Sequence, residues 1–146
     1  MAWMLREYEI TRKRTERVES PKKVVLAADV VEALRPLRLE QLDKEQIYCV
    51  VLDGGHRLTG YTRVSEGLVN TTLVHAREFF RFAIMANAES VIAVHNHPSG
   101  ESMPSQADET ITQGLKHAGE ILGIELLDHI IIGEGNYYSM QENGRL

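Results

Sequence analysis

The feature that most constrains the fold is a nearly continuous apolar run over residues 46–52, followed at once by Asp53-Gly54-Gly55. The run is rich in β-branched and aromatic side chains, which is typical of a strand buried on both faces of a sheet. An Asp-Gly pair after such a run is a strong signal for a hairpin turn. We therefore expect residues 56–65 to return as a second strand beside the first.

Two other sequence patterns extend this strand pair into a layered fold. Helical spacing of apolar side chains predicts helices, and short apolar or alternating runs predict further strands. The predicted helices cover residues 24–39, 75–87 and 105–122, and the predicted strands cover residues 4–13, 91–94, 124–132 and 137–140. Helices interspersed among hairpin-linked strands indicate the α/β class, with helices packed on a sheet.

Composition places the chain among ordinary folded domains. Of its 146 residues, 43% are hydrophobic and 25% are charged, which argues against disorder. We expect a basic N-terminal extension or strand over residues 1–23 and one domain over residues 24–146. No apolar stretch approaches the roughly eighteen residues of a membrane span, and the charged N-terminus lacks the apolar core of a secretion signal. These patterns predict a cytoplasmic protein with no membrane partner.

The single cysteine and the distribution of charge exclude several kinds of site. Cys49 alone cannot form an internal disulfide or a cysteine-based zinc finger. The net charge is −5, and an acidic body is a poor platform for DNA, although Arg12-Lys13-Arg14 could touch nucleic acid. Such a basic run is more often a solvated strand end. An unpaired strand over residues 4–13 would also allow a homo-oligomer by strand addition.

The residues that carry chemistry lie between His95 and Asp108. His95 and His97 stand two apart in an extended segment, so their side chains point to the same side of the chain. A loop of Pro, Ser and Gly follows, and Asp108 then lies in the first turn of the next predicted helix. Two histidines and one carboxylate, with a position left for water, form the donor set of a catalytic zinc site.

Each part of this pattern has a simpler explanation when taken alone. A His-x-His pair is a weak signal, and Ser105 with Asp108 fits a helix capping box. The capping and metal-binding roles are compatible, because one carboxylate oxygen stays free to face the metal. The combination of strand, His-x-His-Pro, glycine-containing loop and Ser-x-x-Asp is what favours a metal site.

The segment from His95 to Asp108 resembles the JAMM motif of MPN-type metallopeptidases, His-x-His-Pro followed by Ser-x-x-Asp. It is most similar to the RadC-like branch, because the hallmark His-Asn-His-Pro-Ser-Gly is present. Residues 75–80 and 126–131 resemble the flanking helix and strand of that branch, and the resemblance covers roughly residues 24–144. It implies a three-layer α/β/α MPN fold, which is cytidine-deaminase-like, with a mixed central sheet and flanking helices.

The resemblance also implies roles for individual residues. It implies one zinc ion bound by the two histidines and Asp108, and a metal-bound hydroxide that attacks an amide bond. It places the general base at the start of the buried strand, which matches Glu45. Glu78 is the competitor, although Arg81 three residues later suggests an ordinary surface ion pair. Ser105 would hydrogen-bond the oxyanion.

The predicted function is that of a zinc-dependent peptidase or isopeptidase acting on a peptide or an isopeptide-linked protein. The alternative is a non-catalytic or nucleic-acid-associated module, since RadC-like proteins are traditionally described as DNA repair proteins. Residues 1–23 lack the helix-hairpin-helix pattern that often precedes this domain, which weakens the DNA hypothesis. Asp128 and His129 could orient a metal ligand, or they could form a structural hydrogen bond within a strand.

Overall fold

A computed structural model describes residues 23–67 and 74–146 of the chain. The elements, in chain order, are α1 (Ala27–Leu34), β1 (Glu45–Leu52), β2 (Leu58–Gly67), α2 (Ala76–Met85), β3 (Ser90–Asn96), α3 (Gln106–Leu122), β4 (Glu125–Ile132) and β5 (Tyr137–Ser139). Two short 3-10 turns, Arg35–Leu37 and Leu39–Gln41, join α1 to β1. Within the described residues, no helix is both long and apolar enough to cross a membrane.

The described strands form one mixed sheet in the order β2-β1-β3-β4-β5. Strand β1 is antiparallel to both β2 and β3, β3 is parallel to β4, and β5 is antiparallel to β4. Every residue of β3 is buried, and every residue of β1 except Glu45 is buried. The apolar run at residues 46–52 is therefore a central strand, as its composition predicts.

Alternate residues of the central strands face different helices. Val50 and Val94 pack in a core cluster that contains the buried residues of α1. Cys49 and Ala93 pack in a second cluster that contains Phe79 of α2 and residues of α3. Since helices cover both faces of the sheet, the predicted α/β class and the three-layer α/β/α architecture are confirmed.

Helix α1 is shorter than the helix predicted over residues 24–39. Asp29, the third residue of the helix, caps its N-terminus. The Asp29 carboxylate accepts hydrogen bonds from the backbone N–H groups of Val25 and Leu26, each at 2.9 Å. The helix gives way to 3-10 turns around Pro36, which has no N–H to continue the α-helical ladder. The strand predicted over residues 4–13 and the basic run at residues 12–14 lie outside the described residues.

The topology brings four chain segments to one edge of the sheet. Because β1 and β3 are antiparallel, the start of β1 lies beside the end of β3, and Ile47 pairs with His95. The loop after β3 leads into the N-terminus of α3, and the His97 N–H donates to Ile132 O at 2.9 Å at the end of β4. A Cβ at Gly133 would collide with the carbonyl of Gly100, so glycine is required for the two loops to approach this closely.

Candidate metal centre

Four side chains from distant parts of the sequence converge at this edge of the sheet. Glu45, His95, His97 and Asp108 each offer one ligand atom, and these atoms all lie within 4.8 Å of one another. Glu45 begins β1, His95 lies near the end of β3, His97 lies one residue beyond that strand, and Asp108 lies in the first turn of α3. The predicted histidines and aspartate are therefore close together, and Glu45 is close to them.

The contacts within this group join atoms that are suited to a cation. His95 Nε2 lies 3.1 Å from Asp108 Oδ1, 3.5 Å from Glu45 Oε1 and 3.0 Å from His97 Nε2. His97 Nε2 lies 3.2 Å from Asp108 Oδ2. Carboxylate oxygens only accept hydrogen bonds, and a neutral imidazole has one nitrogen that can bind a metal. This donor set of two imidazoles and two carboxylates fits a divalent cation.

The hydrogen bond made by His97 Nδ1 determines which nitrogen of the ring is available to bind a metal. His97 Nδ1 lies 2.8 Å from the backbone carbonyl oxygen of Glu101, which can only accept a hydrogen bond. Nδ1 therefore carries the proton, and the Nε2 of neutral His97 presents a lone pair to the group. The loop after β3 thus orients this ring through its own backbone.

Asp108 combines the capping and metal-facing roles in one carboxylate. Its Oδ2 accepts hydrogen bonds from the backbone N–H of Ser105 at 2.7 Å and from the Ser105 hydroxyl at 2.8 Å. Its Oδ1 faces His95. Burial alone would raise the pKa of Asp108, but the adjacent imidazole rings of His95 and His97 outweigh this and hold the pKa below its usual range. Asp108 in turn raises the pKa of His97, because its carboxylate accepts a hydrogen bond from the protonated ring.

Ser105 is the N-cap of α3. Its hydroxyl oxygen accepts a hydrogen bond from the Asp108 N–H at 3.2 Å, and its hydroxyl proton is directed to Asp108 Oδ2. These two contacts and the Ser105 backbone N–H complete the predicted capping box. The role of Ser105 as an oxyanion donor stays a prediction.

The two candidates for the general base occupy different environments. The Glu45 side chain is 12% exposed and belongs to the four-residue group. The Glu78 side chain on α2 is 41% exposed and lies 3.3 Å from Arg81 Nη2, as its sequence spacing suggested. Among the described residues, the geometry therefore brings Glu45, and not Glu78, to the histidines and Asp108.

Asn96 is a contributor to the site that the sequence pattern did not reveal. It stands between the two histidines but is completely buried on the other side of the strand. Its Nδ2 donates to Lys44 O at 3.0 Å, and its Oδ1 accepts from the Gln46 N–H at 2.8 Å. The peptide groups on both sides of Glu45 are therefore held by the residue between two predicted metal ligands.

The predicted pair of Asp128 and His129 serves two separate regions. Asp128 accepts hydrogen bonds from the Ser139 hydroxyl at 2.6 Å and from the Gln141 N–H at 3.0 Å, and burial raises its pKa. His129 Nε2 lies 2.7 Å from His95 Nδ1, so this ring directly contacts a predicted ligand. Burial, and next the neighbouring His95, lower the pKa of His129 well below its usual value. Asp128 thus supports β5 and the turn after it, whereas His129 reaches the candidate metal centre.

The centre opens into a cleft of about 450 Å³. Glu45, His97 and Asp108 line its polar part, and Pro98 and Met103 line its apolar part. A larger cavity of about 700 Å³ lies at the opposite edge of the sheet, around Gly54 and Glu125. Of these two cavities, the smaller one is lined by members of the four-residue group.

Comparison with known proteins places this geometry in a family context. The model of the RadC-like JAB domain family matches residues 24–145. The chain is 52% identical over 103 residues to a UPF0758 protein of Trichlorobacter lovleyi. The aligned residues make up 70% of this chain and 45% of that relative. It is 39% identical over 137 residues to a UPF0758 protein of Methanosarcina acetivorans, covering 94% of this chain and 60% of that relative. The chain thus spans roughly half the length of these curated relatives, whose names state no activity.

Proposed function

Because this chain belongs to the family of RadC-like JAB domains, we propose that it is a zinc-dependent hydrolase of the JAMM type that cleaves amide bonds in a peptide or an isopeptide-linked protein. The observation that carries the proposal is the group of Glu45, His95, His97 and Asp108, which adjoins an open cleft. A purely structural metal site is normally closed by four protein ligands, whereas a catalytic site keeps a position open.

The donor set supports a particular division of roles among the four residues. His95, His97 and Asp108 would hold the ion, since two imidazoles and one carboxylate are a common ligand set of catalytic zinc. Zinc bound there would supply Lewis acidity and would lower the pKa of a coordinated water. Glu45 would stay outside the ligand set, where its carboxylate is free to exchange protons.

Glu45 is suited to act as the general base. Its Oε1 lies 3.5 Å from His95 Nε2, so it borders the space in which a reacting water would stand. A carboxylate there would take a proton from the attacking water and pass it to the leaving amine. The Asn96 side chain holds the peptide groups on both sides of Glu45, which limits the freedom of the base.

Ser105 would assist by donating its hydroxyl proton to the developing oxyanion. Its hydroxyl now donates to Asp108 Oδ2, so this role requires the hydroxyl to turn away from that oxygen. The backbone N–H of Ser105 also donates to Oδ2 and would keep Asp108 oriented in the meantime. The helix cap can therefore persist while the hydroxyl serves the reaction.

The first test of the proposal is the metal content. Protein purified without added chelator is expected to hold one zinc ion per chain by elemental analysis. The double variant His95→Ala/His97→Ala should hold none, because the two remaining carboxylates, without the imidazoles, form a poor zinc site. Stoichiometric zinc in that variant, or a different metal in the unchanged protein, would contradict the assignment.

The second test separates catalysis from metal binding. Zinc-loaded protein is incubated with a mixed library of peptides, including peptides joined through a lysine side chain, and products are identified by mass spectrometry. Glu45→Gln should keep the zinc and lower the cleavage rate by about 100-fold or more, because the general base is lost. The matched control Glu78→Gln should cleave at the unchanged rate.

Two outcomes would overturn this part of the proposal. An intact library after prolonged incubation with fully loaded protein would argue against hydrolysis of peptide amides. Equal losses of rate in Glu45→Gln and Glu78→Gln would argue against the assigned base.

A further inference from the structure

A chain of buried hydrogen bonds links two of the proposed metal ligands from behind. The Thr112 hydroxyl donates to the backbone oxygen of Asp108 at 2.7 Å. Thr112 Oγ1 also lies 2.6 Å from His129 Nδ1, and His129 Nε2 lies 2.7 Å from His95 Nδ1. Thr112 is 1% exposed, and both imidazole rings are fully buried, so water does not compete for these bonds.

The direction of each bond follows from the groups that can donate. The backbone carbonyl of Asp108 only accepts, so the single hydroxyl proton of Thr112 is used there. Thr112 Oγ1 must then accept the bond from His129, which places a proton on His129 Nδ1. Neutral His129 with a proton on Nδ1 has a lone pair on Nε2. His95 therefore donates from its own Nδ1.

The alternative assignment is energetically unfavourable. If His129 donated from Nε2 as well, the ring would be an imidazolium cation inside the protein. This cation would be completely buried, and it would lie one ring away from the position of a divalent metal ion. Burial of a charge without a counter-charge is costly, and repulsion by the metal would add to that cost.

We infer that Thr112 and His129 are positioning residues that hold His95 in the tautomer with its proton on Nδ1 and a free lone pair on Nε2. That lone pair is directed toward Asp108, His97 and Glu45. The inference rests on the proposed metal site, since it concerns how the protein prepares one ligand for the ion. Second-sphere hydrogen bonds of this kind commonly fix the tautomer of a ligating histidine.

The fold explains why these two residues can serve this purpose. Thr112 lies one helical turn after Asp108 on α3, so its hydroxyl reaches the carbonyl of that ligand. In the parallel pairing of β3 and β4, His129 lies opposite Ala93, two residues before His95. One short chain of bonds thus connects a ligand on a helix to a ligand on a strand through the neighbouring strand.

The experiment removes the hydroxyl without removing the histidine. In Thr112→Val, His129 Nδ1 loses its acceptor, and the ring is free to adopt the other tautomer. His129 would then donate to His95 and move the proton of His95 to Nε2, where it blocks the metal. Zinc affinity, measured by competition with a chelator, should fall by about 10- to 100-fold. Thr112→Ser keeps a hydroxyl and should retain the original affinity.

The spectroscopic measurement is made on metal-free protein and does not depend on catalysis. Long-range ¹⁵N–¹H NMR of the imidazole rings should show His95 protonated at Nδ1 in the unchanged full chain and in Thr112→Ser. The spectrum of Thr112→Val should show His95 shifted toward protonation at Nε2. Thr110→Val is the matched control: Thr110 donates to Gln106 O at 3.0 Å on the exposed side of the same helix. It should change neither spectrum nor affinity.

A second pair of variants keeps the test decisive if Thr112→Val folds poorly. His129→Gln retains a side-chain acceptor for the bond from His95, whereas His129→Leu has none. The His129→Gln protein should therefore bind zinc more tightly than the His129→Leu protein. Absence of a proton from His95 Nδ1 in the unchanged protein would overturn the inference. Equal zinc affinities of His129→Gln and His129→Leu, or of Thr112→Ser and Thr112→Val, would also overturn it. If the unchanged protein binds no zinc while His95 is protonated at Nδ1, the proposed function fails and the tautomer assignment stands.

Discussion

Asn96 illustrates how a single side chain can influence catalysis without touching the reacting atoms. It lies between His95 and His97, yet its amide group clamps the peptide groups that flank Glu45. A misplacement of about 1 Å in a catalytic group can cost about 100-fold in rate. Asn96 therefore affects the placement of the general base Glu45 more than it affects metal binding.

Removal of this clamp should affect turnover and leave metal binding intact. We expect Asn96→Ala to lower the rate of amide cleavage by about 10- to 100-fold. Zinc affinity should be nearly unchanged, because the imidazoles of His95 and His97 lie on the other side of the strand. Asn143→Ala removes a comparable bond, from Asn143 Nδ2 to Ser139 O at 2.8 Å, and serves as the control. Loss of zinc in Asn96→Ala would contradict this division of roles.

Asp128 should make stability depend on pH in a direction opposite to that of most carboxylates. Burial raises its pKa above the ordinary value of 3.8, so the folded protein favours the protonated form. Its contribution is therefore fully present below about pH 3.8 and is lost as the pH rises through the raised folded pKa. Asp128→Asn keeps an acceptor for Gln141 and removes this dependence.

The measurement compares the unchanged protein with Asp128→Asn over the pH range in which Asp128 loses its proton. The free energy of unfolding is determined by chemical denaturation at several pH values from 3.5 upward. The stability of Asp128→Asn relative to the unchanged protein should increase as the pH rises and then level off. A constant difference would show that the folded state does not shift the titration of Asp128.

At the level of elements, α3 shows how the same substitution can have opposite effects along one helix. A Cβ added at Gly114 meets no atom within 4 Å, whereas a Cβ added at Gly119 would collide with Ile124 O and would lie 3.3 Å from Phe80 Cζ. Gly119 is therefore the point at which α3 packs closely against the residue before β4 and against α2. Gly114 has no such constraint.

We expect Gly114→Ala to stabilise the protein by about 0.5–1 kcal/mol, because alanine loses less conformational entropy in a helix. Gly119→Ala should destabilise it by about 1–3 kcal/mol, because the added methyl group forces α3 away from its neighbours. Chemical denaturation of both variants gives the comparison directly. A similar change in both would show that the packing at Gly119 can relax.

The elements were predictable from the sequence where the signal is local. The apolar run at residues 46–52 and the spacing of His95, His97 and Asp108 depend on neighbouring residues only. Helix α1 ends earlier than its apolar period suggests, because Pro36 and the left-handed backbone of Arg38 (φ 49°) replace the α-helix with 3-10 turns. Local propensity therefore described the type of this element better than its length.

Contacts between distant segments could not be predicted in the same way. The sequence left Glu45 and Glu78 as alternative bases, because the choice depends on the antiparallel register that sets Ile47 beside His95. The contact of His129 with His95 depends on the parallel pairing of β3 and β4, which also contains an irregularity between Val91 and Ile92. Strand registers of this kind carry no local sequence signal.

For the whole molecule, the buried thiol of Cys49 provides a probe of global opening. Cys49 is fully buried in β1, the same strand that begins with Glu45, and burial raises the pKa of the thiol to about 12. A thiol reagent therefore finds almost no thiolate in the folded protein. Since β1 is paired on both sides, we expect labelling of Cys49 to require unfolding of the core.

Zinc should slow this labelling, because an ion that binds only the folded state reduces the unfolded population. Free zinc at about 100 times its dissociation constant stabilises the fold by about 2.7 kcal/mol and should slow labelling by about 100-fold. In His95→Ala/His97→Ala, labelling should be insensitive to zinc, which also controls for binding of zinc by the exposed thiol itself. Labelling is followed by absorbance of the released chromophore at constant pH. If zinc slowed the double variant as much as the unchanged protein, the stabilisation would come from a site other than this edge of the sheet.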